Sequence, residues 1–177
     1  MIVAFGDSLT AGVSGKSYPE YLQDLLDKSP SHYRVDNQGV SGDTTEGGVS
    51  RIDSATALKP EIVVLELGGN DGLRGLPLDQ TQHNLDQVLT ALEAAHIRIL
   101  LAGITLPPNY GPDYIQSFQQ VFRTLAAHHR VAFVPMIYKD LIHVPGTIQG
   151  DGIHPTAKGS AILADTLLPA LKPLLVK

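Results

Sequence analysis

Three residue types needed for acyl-transfer chemistry occur in short polar segments of this sequence. A serine hydroxyl is a weak nucleophile until a neighbouring imidazole takes its proton. A carboxylate on the other ring nitrogen then holds that imidazole in one tautomer. Ser8 supplies the hydroxyl, and Asp151 and His154 lie three residues apart in a single later segment. We therefore predict a nucleophile at Ser8, a base at His154 and an orienting acid at Asp151.

Acyl transfer also requires preorganised donors for the oxyanion of the tetrahedral intermediate. Glycine-rich loops suit this role because their backbone can approach a ligand closely and offer free N–H groups. The predicted donors are the backbone N–H groups of Ser8 and Gly42 and the side-chain amide of Asn70. Simple turn formation is the alternative interpretation of Gly42 and Asn70, and a helix cap is the alternative for Ser8.

The segments between these residues indicate how they are positioned. Apolar side chains at i, i+3, i+4 and i+7, as at Leu85, Val88, Leu89 and Leu92, predict helices. Short apolar runs alternate with them and predict strands at residues 2–5, 34–37, 62–67, 97–104 and 131–134. Five such alternations predict one domain over residues 1–177, a three-layer α/β/α flavodoxin-like fold. We expect its five-stranded parallel sheet to have the strand order 2-1-3-4-5.

This strand order would bring the polar segments together. Ligands bind such sheets beyond the carboxyl ends of the strands, near the switch in strand order. Ser8, Gly42 and Asn70 follow three neighbouring strands, so their loops should converge. His154 follows strand 5, but the preceding residues 136–150 can extend about 50 Å, against roughly 15 Å between strands 5 and 1. Thr156 is the expected N-cap of the last helix.

Composition excludes several classes of protein. The chain has 13 Lys and Arg against 18 Asp and Glu, and its net charge of −5 without a basic cluster disfavours a nucleic-acid partner. It has no cysteine, so thiolate chemistry is excluded. No apolar run approaches the roughly 20 residues that span a bilayer. We expect a monomer that acts on a small molecule without a cofactor.

The N-terminus lacks the basic and long apolar regions of a secretion signal. The chain as it stands is therefore expected to be cytoplasmic. Removal of a signal peptide would instead place it in the periplasm or outside the cell.

The polar segments resemble the sequence blocks of the SGNH, or GDSL, hydrolase superfamily. The matching blocks are GDS at residues 6–8, a glycine at position 42, GGND at residues 68–71 and DxxH at residues 151–154. Residues 66–75, 106–111 and 151–155 are similar to the bacterial thioesterase I/lysophospholipase (arylesterase-like) branch. The resemblance implies a Ser8–His154–Asp151 triad and an oxyanion hole from Ser8, Gly42 and Asn70. It also implies an open site that hydrolyses aryl or alkyl esters, lysophospholipid-like esters or acyl-CoA thioesters through an acyl-enzyme on Ser8.

Two loops on the predicted active face offer apolar surface for an acyl chain. Their candidate pocket residues are Leu73 and Leu76 after strand 3, and Leu106 and Tyr110 after strand 4. Ordinary loop packing is an equally good interpretation of each residue. Residues 136–149 depart from the thioesterase-like pattern, and this segment often shapes the pocket, so substrate preference follows less directly from the resemblance than the triad does.

Three other functions are compatible with parts of the sequence. Other members of the superfamily remove acetyl groups from carbohydrates, although the absence of tryptophan leaves no obvious sugar-stacking platform. Glycine-rich loops also suit a non-enzymatic phosphate-binding flavodoxin-like domain, although no P-loop is present. A metal-dependent phosphoesterase would bind its metal through carboxylates near a histidine. The candidates are the carboxylates of Asp7, Asp71 and Asp151 with the imidazole of His154.

The remaining histidines have mainly structural or solvent-exposed interpretations. His128 and His129 are adjacent in a predicted helix, so they should point to different faces. We therefore predict no metal site from this pair.

Overall fold

The computed structural model describes residues 1–30 and 32–175. Its five strands are all parallel and lie in the order β2-β1-β3-β4-β5. Their bounds are β1 (Ile2–Gly6), β2 (Val35–Gly39), β3 (Ile62–Glu66), β4 (Arg98–Ala102) and β5 (Ala132–Val134). The predicted fold class and strand order are confirmed.

Helices cover both sides of this sheet. They are α1 (Ser8–Ala11), α2 (Tyr18–Asp27), α3 (Thr45–Ala57), α4 (Gly69–Leu73), α5 (Leu78–Ala94), α6 (Pro112–His129) and α7 (Ala157–Leu171). Helix α5 packs between α3 and α6, while α2 packs against α7. Single 3₁₀ turns lie at Pro108–Tyr110 and Lys172–Leu174. Within the described residues, no helix is long and apolar enough to cross a lipid bilayer.

The hydrophobic pattern of each strand follows from its place in the sheet. β1 and β3 are central and buried along their whole length, and they are nearly continuous apolar runs. Helices on both faces leave such strands no solvent-facing side. β2 is an edge strand with the polar sequence VDNQG and is only partly buried. This exposure explains why its hydrophobic signal is weak.

Two short helices were not predicted from the sequence. Helix α1 follows β1 directly, and helix α4 follows β3. Each has one turn or little more, too short for a 3.6-residue hydrophobic period to become visible. These two helices begin within the GDS and GGND blocks. The sequence predicted a loop at each of these places, and the structure has the first turn of a helix there instead. The predicted cap of the last helix is present, because Thr156 Oγ1 accepts the Gly159 N–H at 3.3 Å.

The strands around the active face end level with one another. Gly6 at the end of β1 is paired with Gly39 of β2 and with Glu66 of β3. A side chain on Gly39 would lie 2.1 Å from the backbone nitrogen of Ala11 in α1. The absence of that side chain therefore lets α1 pack against the end of β2.

We predict that Gly39→Ala lowers the free energy of unfolding by about 1–3 kcal/mol, because the new methyl group meets backbone that cannot yield. Urea denaturation followed by circular dichroism measures this change. The control is Gly150→Ala, since a side chain there meets nothing within 4 Å. Equal stability of the two variants would contradict this account of the α1–β2 contact.

Candidate active site

The structure brings the three predicted triad residues into one hydrogen-bonded chain. Ser8 is the first residue of α1 at the carboxyl end of β1, and its side chain is largely buried. Its Oγ lies 2.9 Å from His154 Nε2. His154 Nδ1 lies 2.6 Å from Asp151 Oδ2. The arrangement can pass a proton from the serine to the imidazole while the carboxylate stabilises the resulting positive charge.

Asp151 is held as an anion by the groups around it. Its Oδ1 accepts the backbone N–H groups of Ile153 at 2.9 Å and His154 at 3.0 Å. Desolvation raises the pKa of Asp151, but hydrogen bonds from the His154 ring and from these two N–H groups together lower it to about 2. An ionised Asp151 keeps the proton of the imidazole on Nδ1. Nε2 then faces Ser8 as a proton acceptor.

The backbone around His154 is fixed by the long β5–α7 connection. The carbonyl of His154 accepts a hydrogen bond from the Gln149 N–H at 2.8 Å. The Tyr138 hydroxyl donates to the Ile153 carbonyl at 2.7 Å. Sequence reasoning missed Tyr138 and Gln149 as supports for the triad. Their role depends on a fold-back of the chain that no local pattern indicates.

The side-chain amide of Asn70 contacts the segments that carry the other two predicted oxyanion donors. Asn70 Nδ2 donates to the Asp43 carbonyl at 2.8 Å and to Asp7 Oδ2 at 3.2 Å. This amide therefore joins the residue before Ser8 to the residue after Gly42. Both of its N–H groups are engaged, so any further acceptor must displace one of these two. The bond to Asp7 is the longer of the two.

The backbone at Gly42 is held by the side chain of Arg74. Arg74 Nη2 donates to the Gly42 carbonyl at 2.9 Å. Gly42 has a φ of +80°, a conformation that glycine adopts without the steric cost of a Cβ. Arg74 thus fixes a glycine turn on the active face.

Two carboxyl groups are buried beneath the nucleophile. Asp7 caps α1 by accepting the Leu9 N–H at 3.0 Å, and it is only 3% exposed. Desolvation raises the pKa of Asp7 to about 6, although the Leu9 hydrogen bond and the charge of His154 oppose the rise. Glu66 is fully buried and accepts a hydrogen bond from Thr10 Oγ1 at 2.8 Å. Desolvation and the charge of Asp7 raise the pKa of Glu66 well above its usual range, which favours the neutral form of this carboxyl.

These arrangements can be compared with known proteins. A model of the GDSL-like lipase/acylhydrolase family matches residues 4–162. The chain belongs to this family. It is 41% identical to esterase TesA of Pseudomonas aeruginosa, over 98% of this chain and 89% of that protein. It is 36% identical to thioesterase 1/protease 1/lysophospholipase L1 of Escherichia coli K12, over 98% of this chain and 84% of that protein.

The structural comparison agrees with the family assignment. A crystal structure of TesA matches with a TM-score of 0.94 and 41% identity, covering 98% of this chain and 99% of the other. These findings confirm the resemblance to SGNH hydrolases and the fold that it implied. As a GDSL-family member with esterase and thioesterase relatives, this chain is a carboxylic ester hydrolase.

An apolar cleft of about 390 Å³ opens beside the triad of this GDSL-family chain. Gly69, next to Asn70, and Ile153, next to His154, both form part of its wall. Leu73 and Leu106, two of the candidate pocket residues, line this cleft. Most of the other lining side chains are also apolar, and they come chiefly from the loop after β4 and from the β5–α7 connection.

Two predicted pocket residues lie elsewhere. Leu76 is 38% exposed and does not line the cleft, because the chain turns away after α4. Tyr110 does not line the cleft either, and its hydroxyl donates to the Leu73 carbonyl at 2.6 Å. Sequence reasoning missed a set of lining residues within the segment that departs from the thioesterase-like pattern: Met136, Tyr138, Ile142 and Ile148.

The carboxylates of the metal-phosphoesterase alternative do not form one site. Both oxygens of Asp71 contact Thr45, at 2.9 Å from its N–H and 2.5 Å from its hydroxyl. Asp151 is engaged by His154. Among the described residues, these carboxylates do not gather with His154 closely enough to surround one ion. Asp71 instead ties α4 to the start of α3.

We predict that Asp7→Asn changes how stability depends on pH. Its pKa rises from 3.8 to about 6 on folding, so folded protein binds more protons than unfolded protein between those values. The stabilisation that the folded protein gains from this proton is complete below pH 3.8. It is lost as the pH rises through 6. Relative to the variant, wild type should lose about 2–3 kcal/mol of unfolding free energy between pH 4 and pH 7.5.

Urea denaturation at several pH values measures this difference. The exposed Asp53 provides the control, because Asp53→Asn should follow the wild-type pH profile. Parallel profiles for Asp7→Asn and wild type would show that Asp7 titrates normally in the folded protein.

Proposed function

We propose that residues 1–177 act as one serine hydrolase domain that cleaves esters and thioesters of apolar acyl chains through an acyl-enzyme on Ser8. The observation that carries this proposal is the 2.9 Å and 2.6 Å chain from Ser8 through His154 to Asp151 beside the apolar cleft. The chain contains all three groups, so we propose that the monomer is active.

The first half of the reaction forms the acyl-enzyme. His154 Nε2 takes the hydroxyl proton as Ser8 Oγ bonds to the substrate carbonyl carbon. The electron pair of the carbonyl moves to its oxygen and gives a tetrahedral oxyanion. When this intermediate collapses, the bond to the alcohol or thiol breaks, and His154 gives its proton to that leaving group. In the second half, water attacks the acyl-enzyme with His154 again as base, releasing the acid and restoring Ser8.

The proposed oxyanion donors are the N–H groups of Ser8 and Gly42 and the Asn70 amide. The amide would exchange its 3.2 Å bond to Asp7 for the oxyanion and keep its 2.8 Å bond to Asp43. The exchange gives the oxyanion a charge-assisted hydrogen bond and gives up only the longer of the two bonds that the amide makes. Arg74 supports the same site by holding the Gly42 turn.

The cleft supports an apolar acyl group as the part of the substrate that is recognised. Its walls are aliphatic side chains and prolines with few polar groups, and apolar burial favours alkyl chains. The Escherichia coli relative is named as a thioesterase and lysophospholipase, which supports thioester and lipid-like ester substrates here. An acetylated carbohydrate would present hydroxyl groups to this surface, so the carbohydrate alternative is disfavoured.

We predict that Ser8→Ala lowers kcat for p-nitrophenyl octanoate by about 10⁴-fold or more, because no other group can form the acyl-enzyme. The assay should also use octanoyl-CoA and acetylated xylan. Ser14→Ala, which alters an exposed loop serine, is the control and should retain wild-type rates.

The outcomes of this assay separate the candidate functions. Octanoyl ester and thioester hydrolysis that depends on Ser8 supports the proposal. Faster release of acetate from xylan than of octanoate would favour the carbohydrate deacetylase. Equal activity of wild type and Ser8→Ala would refute the serine mechanism, provided that circular dichroism shows both proteins folded.

We predict that Ile142→Trp shifts the preferred acyl chain towards shorter lengths. Ile142 lines the cleft and is 39% exposed, so a larger side chain there narrows the cleft without disturbing the core. Each methylene group of the acyl chain that no longer reaches the cleft loses about 0.8 kcal/mol of favourable burial. If the variant excludes two methylene groups, kcat/KM for decanoyl esters should fall about tenfold relative to butanoyl esters.

Leu76→Trp is the matched control, because Leu76 has nearly the same exposure but lies outside the cleft. Its chain-length profile should equal that of wild type. An unchanged profile for Ile142→Trp, or the same shift in both variants, would contradict this assignment of the acyl site.

A further inference from the structure

A second cluster of ionisable side chains lies between α5 and α6. His129, the last residue of α6, has a side chain that is only 4% exposed. Its Nε2 lies 3.0 Å from Asp86 Oδ1, and its Nδ1 lies 3.1 Å from Glu93 Oε2. Both carboxylates belong to α5. The two nitrogens of one buried imidazole thus face two acidic groups.

His128 joins the same cluster. As adjacent residues of α6, His128 and His129 were expected to point to different faces of the helix. Their rings nevertheless lie edge to face with centroids 5.0 Å apart. One ligand atom from each of Asp86, His128 and His129 lies within 4.8 Å of the others. Side-chain rotation therefore overcomes the angular separation of adjacent helical residues.

The two carboxylates around His129 present more acceptor atoms than a neutral imidazole can bond. A neutral imidazole has one N–H donor and one lone-pair acceptor. If Nδ1–H donates to Glu93, Nε2 and the Asp86 oxygen face each other as two acceptors. A metal ion between these two atoms relieves the contact and also makes use of the nearby nitrogen of His128.

We propose that Asp86, His128 and His129 bind one divalent cation of the zinc type. Two imidazole nitrogens and one carboxylate oxygen suit zinc or cobalt, whereas magnesium and calcium prefer oxygen ligands. Bonds of about 2.0–2.2 Å place tetrahedral ligands about 3.4 Å apart. The existing separations reach this value with small side-chain movements. Asp86 and His128 are partly open to solvent, which leaves a fourth position for water.

Glu93 completes the proposed site without binding the ion. Metal-bound histidines commonly donate their second ring N–H to a carboxylate, which fixes the tautomer and the ring orientation. Glu93 Oε2 occupies that position beside Nδ1. The buried His129 is therefore held with Nε2 directed towards Asp86, where the ion would lie.

The position of the cluster indicates a structural rather than a catalytic role. His129 precedes β5, so it lies near the amino end of that strand. Ser8 and the cleft lie at the opposite, carboxyl ends of the strands. A bound ion would link the end of α6 to α5. It would stabilise the folded state because the unfolded chain does not hold these ligands together.

Metal titration of the full chain tests the proposal. Protein freed of metal by chelator and then by dialysis is titrated with Co²⁺, followed by visible absorption, and with Zn²⁺, followed by calorimetry. We expect one ion per chain. Asp86→Asn and His128→Gln should each weaken binding at least about tenfold, and Glu93→Gln about 10–100-fold, because it removes the orienting carboxylate.

His32→Gln is the control, since it removes an exposed histidine elsewhere on the surface and should leave Zn²⁺ affinity unchanged. Zn²⁺ should also raise the melting temperature of wild type and His32→Gln, but not that of the Asp86→Asn, His128→Gln double variant. These substitutions alter side chains open to solvent, and circular dichroism verifies folding. The proposal is overturned if wild type binds no stoichiometric Zn²⁺ at submillimolar concentration, or if the site variants bind as wild type does.

Discussion

The parallel pairing of β1 with β2 and β3 is the constraint on which the active site depends. Gly6, Gly39 and Glu66 lie level at the ends of these strands, so the three segments that follow start at one edge. Asn70 then joins two of them through Asp7 and the Asp43 carbonyl. His154 completes the site from a long connection, whose backbone is held by its own hydrogen bonds. The rigid sheet thus sets the position of Ser8, and the connection sets that of the base.

The two carboxyl groups buried beneath Ser8 lower the stability of the folded protein. Asp7 and Glu66 are buried close together, and burial of carboxyl groups destabilises their charged forms. Glu66 Oε1 has no hydrogen-bond partner among the described residues. Asp7 nevertheless caps α1 and holds the Asn70 amide at the active face. The same residue that costs stability therefore positions a proposed oxyanion donor, a conflict that is common where function and stability compete.

The cleft and the triad are also linked through shared segments. Tyr138 lines the cleft and donates to the carbonyl next to His154. Ile153 lies on the cleft wall between the orienting acid and the base. A substrate chain in the cleft would contact the same backbone that holds the imidazole. Acyl-chain binding in the cleft would therefore depend on the same stretch of chain as the position of the base, the β5–α7 connection.

The sequence by itself determined the strand order, the family and the three residues of the hydrogen-bonded triad. These features are encoded locally, in hydrophobic periods and in short blocks that follow predicted strands. Only the tertiary structure decided that Asn70 bonds Asp7, that Leu76 lies outside the cleft while Ile142 lines it, and that His128 and His129 meet Asp86. Such contacts join elements distant in sequence and depend on side-chain rotation and packing, which periodicity and spacing do not encode.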